Sequence, residues 1–62
     1  MTPRDVARAL LWGPVSEARL RKAKRLLPTP ESVQAMAAAV EELADADTAQ
    51  AIRAGLARVG AL

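Results

Sequence analysis

The residues best suited to chemistry in this sequence are five cations that cluster between positions 19 and 25. The cluster consists of Arg19, Arg21, Lys22, Lys24 and Arg25. Guanidinium and ammonium groups neutralise phosphates, and several of them on one helix give salt-dependent, non-specific affinity for nucleic acid. The same groups pair with protein carboxylates, so the cluster has two chemically distinct kinds of partner.

The charges of the chain divide by position. Residues 1–27 carry seven basic and two acidic residues, whereas residues 28–62 carry two basic and five acidic residues. The acidic half, in the same chain or in a second chain, is therefore the first candidate partner for the basic cluster. Surface ion pairs add little stability but set register and partner choice. The net charge of +2 does not by itself establish nucleic-acid binding.

Two further partners of the basic cluster remain open. The sequence contains no strong nucleic-acid-binding motif. The cations are spread along the whole predicted helix and are not concentrated at its N-terminal end, which reads bases in a helix-turn-helix. Tyr and Phe, which stack on single-stranded bases, are absent.

The second of these partners is an anionic membrane surface, on which Leu10, Leu11 and Trp12, followed by a basic amphipathic helix, could lie. The membrane is disfavoured because core or interface positions explain these three residues more simply.

Enzymatic chemistry is poorly supported by the residue types. The chain has no histidine and no cysteine, so the commonest general base, nucleophile and metal ligands are missing. Ser16 and Ser32 have no base beside them, and Lys22 and Lys24 lack the burial that a lysine base needs. No glycine-rich phosphate loop is present. The sequence predicts a protein that is not an enzyme and needs no cofactor.

Four carboxylates could in principle hold a hard cation such as Ca²⁺. They are Glu41, Glu42, Asp45 and Asp47. Their spacing does not match an EF-hand loop, and a solvated helix end followed by an N-cap explains them more simply. We therefore predict no metal site.

Proline and glycine divide the chain into segments that favour helix. Breaks occur at Gly13-Pro14, at Pro28-Thr29-Pro30 and at Gly60, and no stretch alternates with the period of a strand. Runs of Ala, Leu, Glu, Arg and Lys favour helix between the breaks. The predicted helices cover about residues 3–12, 14–27, 30–44 and 48–59. The predicted fold is a single all-α domain over residues 1–62, a three- to four-helix bundle with short loops.

Capping patterns fix the predicted helix starts. Thr2 is suited to the N-cap with Asp5 closing a capping box, and Thr29 is suited to the N-cap before a helical proline. Pro14 is predicted to open the second helix. Asp47 is predicted to cap the fourth helix, and Gly60 is predicted to stop it.

Large apolar residues are few in a chain of 62 residues, so the predicted core is thin. We expect self-association or a partner protein to complete it. The predicted contact residues are Leu10, Leu11, Trp12, Val15, Met36 and Val40. Trp12 is the single aromatic residue, and both a core position and an interface hot spot remain open for it.

The leading functional prediction is a small helical protein-protein interaction module, such as a regulator, an adaptor or an assembly domain. Apolar helix faces would provide binding and complementary charges would set orientation. The expected state is a homo-oligomer or a hetero-complex. The alternative is a nucleic-acid-binding accessory protein that uses the basic helix.

A cytoplasmic location is expected, since there is no signal peptide and no long apolar run. The abundance of Ala and of Arg over Lys is typical of a bacterial, GC-rich genome.

Overall fold

Four helices and no strand make up the chain in the computed structural model, which describes residues 1–62. The helices are α1 (Pro3–Leu11), α2 (Glu17–Leu26), α3 (Pro30–Leu43) and α4 (Ala46–Arg58). The predicted all-α class with short loops is confirmed. None of the helices combines the length and the apolarity that a bilayer crossing requires.

Helices α1 and α3 begin where their capping patterns predicted. The Thr2 hydroxyl accepts a hydrogen bond from the Asp5 N–H at 3.1 Å, and the Asp5 carboxylate accepts one from the Thr2 N–H at 3.3 Å. Thr29 and Ser32 repeat this reciprocal arrangement at α3, at 3.1 and 3.3 Å. Each pair satisfies two N–H groups that the first turn of a helix leaves without partners.

The start of α2 differs from the prediction. The helix begins at Glu17, not at Pro14, because Ser16 is its N-cap and accepts the Arg19 N–H at 3.3 Å. Gly13, which would have to cap a helix starting at Pro14, has no side-chain acceptor. Pro14 therefore lies in the connection between α1 and α2.

The start of α4 also differs from the prediction. Asp45, not Asp47, caps the helix, and its carboxylate accepts the Thr48 N–H at 2.7 Å. The earlier start includes a backbone bond from the Ala49 N–H to the Asp45 carbonyl at 2.9 Å. Asp47 consequently lies in the first helical turn, where its negative charge suits the positive end of the helix dipole.

Gly60 ends α4 as predicted, and its backbone conformation shows why a glycine is suited to this position. Its φ of +80° lies in the left-handed region. The Gly60 N–H bonds to the Ala57 carbonyl at 3.1 Å, and the Ala61 N–H bonds to the Leu56 carbonyl at 2.8 Å. This pair of hydrogen bonds is the Schellman motif, which satisfies the last carbonyls of the helix.

The helices pack in a closed order in which α1 lies against α3, α3 against α4, α4 against α2, and α2 against α1. Arg4 in the first turn of α1 meets Glu42 in the last turn of α3, so these two helices run in opposite directions. Leu20 and Lys24 of α2 face Gly55 and Val59 of α4, so α2 and α4 run in the same direction. Helices α2 and α3 are consecutive but do not pack along each other.

Apolar side chains from all four helices form one core. Its 13 buried members are Val6, Ala7, Leu10, Leu20, Ala23, Leu27, Val33, Met36, Ala39, Val40, Ala49, Ile52 and Leu56. No polar or charged residue is buried. The charged groups therefore act at the surface and at helix ends.

Candidate interaction surface on α1 and α2

Arg19 is directed at the C-terminal end of α1. Its guanidinium donates hydrogen bonds to the carbonyl of Leu10 at 3.4 Å, to that of Pro14 at 2.9 Å, and to that of Ala9. The last carbonyls of a helix lack internal partners and carry the negative end of the helix dipole. Arg19 therefore closes α1 and holds the turn that follows it.

Lys24 has a similar role at the end of α4. Its ammonium donates a hydrogen bond to the carbonyl of Val59, the C-cap residue, at 3.1 Å. Two members of the predicted basic cluster thus close the C-termini of two different helices. Their side chains join α2 to α1 and to α4.

The other three members of the cluster differ in what they contact. Arg21 pairs with Glu17 one turn earlier on α2, at 3.1 Å. Lys22 and Arg25 are exposed and have no hydrogen-bonding or ion-pair partner. The five cations were predicted from the sequence to form one surface, but in the structure they lie in three different environments.

The acidic half of the chain does not pair with the basic helix α2 within the monomer. Glu42 pairs with Arg4 of α1 at 3.0 Å, and Glu41 pairs with Arg53 of α4 at 2.6 Å. The predicted pairing of the basic cluster with the acidic half inside one chain is therefore corrected, because α2 does not pack along α3, which carries Glu41 and Glu42. A pairing between chains stays a prediction.

The candidate metal ligands do not converge. No group of three acidic residues lies close enough to hold an ion. Glu41 and Glu42 face arginines, and Asp45 caps α4. Hydrogen bonds from the Thr48 hydroxyl and backbone N–H hold the pKa of Asp45 below its ordinary value of 3.8. Corresponding bonds from Thr2 lower the pKa of Asp5.

The structure separates the six predicted contact residues into two groups. Leu10, Met36 and Val40 are 6%, 0% and 1% exposed and belong to the core. Neighbouring helices cover the side chains of Met36 and Val40, whereas Leu10 belongs to the core but also lines a groove between α1 and α2. Trp12 is 88% exposed, Val15 is 39% exposed, and Leu11 is half-buried.

The exposed residues lie on or beside the connection between α1 and α2, residues 12–16, which we call the Trp12 turn. Trp12 is the C-cap of α1, and its N–H bonds to the Ala9 carbonyl at 3.3 Å. At the other end of the turn, Ser16 caps α2. Arg19 bonds to the Pro14 carbonyl between them. The Trp12 turn is thus held at both ends and at its centre.

A groove of about 260 Å³ lies between α1 and α2. Its lining residues are Met1, Val6, Ala9, Leu10, Arg19, Lys22 and Ala23. Five of these residues are apolar, two are basic and none is acidic. Arg19 lines the groove and also holds the Trp12 turn, so the two features adjoin. Sequence reasoning missed this groove, although the small residues Ala9 and Ala23 were a possible signal.

Comparison with known proteins gives no further guide to function. The chain matches no protein-family model, and searches of curated proteins and of solved structures find no match. The class of protein is therefore inferred from the geometry of the α1–α2 surface.

Proposed function

We propose that this protein is a small non-enzymatic helical module that binds another protein, or a second copy of itself, through the Trp12 turn. The observation that carries this proposal is the exposure of Trp12, which leaves 88% of the residue open to solvent. Trp is the residue type most enriched at interface hot spots, because its large apolar body gains most when water is removed. A regulator, an adaptor and an assembly domain all use such a surface.

The rigidity of the Trp12 turn supports a binding role. Binding costs less when the contact residues are already ordered before the partner arrives. Arg19 holds three carbonyls around the turn, and Pro14 restricts its backbone. Trp12 is therefore presented on an ordered backbone, and the adjacent Val15 extends its apolar surface.

The absence of histidine and cysteine supports the non-enzymatic part of the proposal. We also propose a cytoplasmic location. A chain without cysteine forms no disulfides, so its stability does not depend on an oxidising compartment.

Affinity capture from the native cell, with and without nuclease, tests the proposed function. Wild-type protein is expected to retain a nuclease-resistant protein partner that Trp12→Ala loses. Leu43→Ala is the matched control, because Leu43 is a 40% exposed apolar residue at the end of α3. Sedimentation of the purified protein distinguishes self-association from binding to another protein. Equal capture by wild type and Trp12→Ala would contradict the proposal.

A second candidate function is nucleic-acid binding, and one observation favours it. Lys22 and Arg25 are exposed on α2 without carboxylate partners, and Arg21 lies beside them. Arg19 and Lys24 contribute less, because their head groups already bond to helix-end carbonyls. Three phosphate contacts predict a slope of log affinity against log salt of about −3 on duplex DNA. A mobility-shift assay at low salt, repeated with the double variant Lys22→Glu, Arg25→Glu, tests this function.

A further inference from the structure

We propose that the groove between α1 and α2 binds an acidic amphipathic helix of a partner protein. This inference rests on the proposed protein-binding function and names the chemistry of the partner. The groove is defined by the seven lining residues given above. Arg19 lines the groove and also bonds to the Pro14 carbonyl of the Trp12 turn, so one partner can contact both features.

The lining of the groove calls for apolar side chains. Val6, Leu10 and Ala23 form its buried part, and Ala9 lies on its exposed edge. The alanines have short side chains and leave the space between α1 and α2 open. Its volume of about 260 Å³ is smaller than the roughly 300–1,000 Å³ typical of small-molecule sites. Side chains spaced three and four residues apart on a partner helix fit such a groove.

The charges around the groove call for an acidic partner. Arg19 and Lys22 are its charged lining residues, and no carboxylate lines it. Lys22 has no partner in the protein. A glutamate beside the apolar stripe of the partner would pair with Lys22, and the charge of Arg19 adds to the positive potential of the groove.

The dimensions of α1 set the length of the partner segment. Its nine residues extend about 13 Å at 1.5 Å per residue. A partner helix of two to three turns matches this length and places anchors at positions i, i+4 and i+7. Trp12 would contact the end of that helix.

Nucleic acid fits the groove less well than an acidic helix. A phosphate backbone has no apolar groups that could fill the space above Val6, Leu10 and Ala23. The apolar lining therefore favours a protein partner.

The test uses two labelled synthetic peptides of about 15 residues, a length at which helices begin to form in water. The first has Leu at i, i+4, i+7 and i+11 with mainly Glu elsewhere, and the second replaces every Glu by Lys. Binding is followed by anisotropy of the label on the peptide. The Glu peptide is expected to bind, with affinity that falls as salt rises. The Lys peptide is expected not to bind.

Variants of the groove locate the binding site. Ala9→Met fills the groove from its exposed edge and is expected to weaken binding of the Glu peptide at least about tenfold, because the anchors are displaced. Ala18→Met adds the same side chain at an exposed position of α2 that does not line the groove. This control is expected to bind normally. Circular dichroism confirms that each variant is folded.

Charge variants separate contact with the groove from general attraction. Lys22→Glu is expected to weaken binding about threefold to tenfold, as an exposed charge pair is replaced by repulsion. Arg25→Glu changes the net charge equally but does not line the groove, so its effect should stay below about twofold. Equal losses in both variants, or failure of the Glu peptide to bind, would overturn the groove proposal.

The remaining outcomes distinguish this proposal from the proposed function. If Trp12→Ala loses its cellular partner while Ala9→Met and Lys22→Glu keep it, the groove proposal is wrong and the function stands. If all three variants keep the partner, both are wrong. Displacement of the Glu peptide by a single-stranded oligonucleotide would assign the surface to nucleic acid. Self-association that Ala9→Met abolishes would assign the groove to a second copy of the chain.

Discussion

At the scale of single residues, Arg19 shows how a side chain in a charge cluster acquires a structural role. Its guanidinium has several donors in one plane, and the end of α1 offers several carbonyls without partners. Arg25, in the same cluster, has the same chemistry but is exposed and makes no side-chain hydrogen bond. The distinction depends on the position of α1 relative to α2, which residue type and spacing do not contain.

We expect the loss of Arg19 to destabilise the fold. Arg19→Met keeps much of the apolar stem but leaves the carbonyls of Ala9, Leu10 and Pro14 without their charged donor. Hydrogen bonds to charged groups predict a cost of about 1–2 kcal/mol at this partly exposed site. Urea denaturation followed by circular dichroism measures this cost. Arg25→Met is the matched control and should change the free energy of unfolding by less than about 0.5 kcal/mol.

Asp45 makes the stability of the protein depend on pH in the acid range. Its pKa is lowered in the folded state by the bonds from Thr48. The ionised form is thus favoured by folding, so its contribution is present above the ordinary pKa of 3.8 and is lost as the pH falls through the lower folded value. We expect the melting temperature to fall in that range.

Two substitutions test the role of the Asp45 charge. Asp45→Asn keeps an acceptor for the Thr48 N–H but does not titrate, so its melting temperature should fall less steeply in acid than that of wild type. Asp47→Asn removes a carboxylate from the same turn but leaves the Asp45 cap in place, so its melting temperature should still fall in acid as Asp45 is protonated. Parallel profiles for wild type and Asp45→Asn would contradict this account.

At the scale of helices, local signals predicted some boundaries and missed others for identifiable reasons. Thr2 and Thr29 each precede a proline and have an acceptor three residues later, so one start was favoured. Asp45 and Asp47 are both good caps, and the choice depends on how soon the chain leaves α3. Helices α1 to α4 each end one residue before the predicted position, so the predicted last residues are the C-caps.

The contact between α2 and α4 depends on Gly55. A Cβ at this position would overlap the Cδ1 atom of Leu20, whose side chain is 1% exposed. Gly55→Ala gains about 1 kcal/mol of helix propensity, but forcing a methyl group into a packed core costs about 1–3 kcal/mol. We therefore expect a net loss of stability of up to about 2 kcal/mol, measured by urea denaturation.

A second substitution shows whether the overlap with Leu20 is the cause. Leu20→Val shortens the side chain above Gly55 and costs stability by itself. In the double variant the added methyl group has more room, so the two losses should sum to more than the observed loss. Additive losses would mean that Leu20 and Gly55 do not interact as described.

At the scale of the whole molecule, the sequence predicted which faces are apolar but not which of them are covered. Met36 and Val40 are four residues apart and lie on the buried face of α3. Periodicity does not reveal whether another helix of the same chain lies on that face, and here α1 and α4 do. Trp12 lies beyond the last turn of α1, so helical periodicity does not predict its exposure. That exposure depends on the geometry of the Trp12 turn.

The division between core and surface predicts that two truncations change the free energy of unfolding by very different amounts. Met36→Ala removes a fully buried side chain and should cost about 2–5 kcal/mol. Trp12→Ala removes a larger side chain but should change the free energy of unfolding by less than about 0.5 kcal/mol, because its contacts with the core are few. Denaturation curves by circular dichroism give both values. A large loss for Trp12→Ala would make Trp12 part of the fold and not a binding surface.

The exposure of Trp12 also has an optical consequence. Indole emission moves to shorter wavelength when water is excluded, and Trp12, the one Trp of the chain, is already surrounded by water in the native fold. Unfolding in urea should therefore shift the emission maximum very little, even while the helical signal disappears. Burial of Trp12 by a partner should give a blue shift, so the intrinsic fluorescence of this protein should report complex formation and be nearly silent to unfolding.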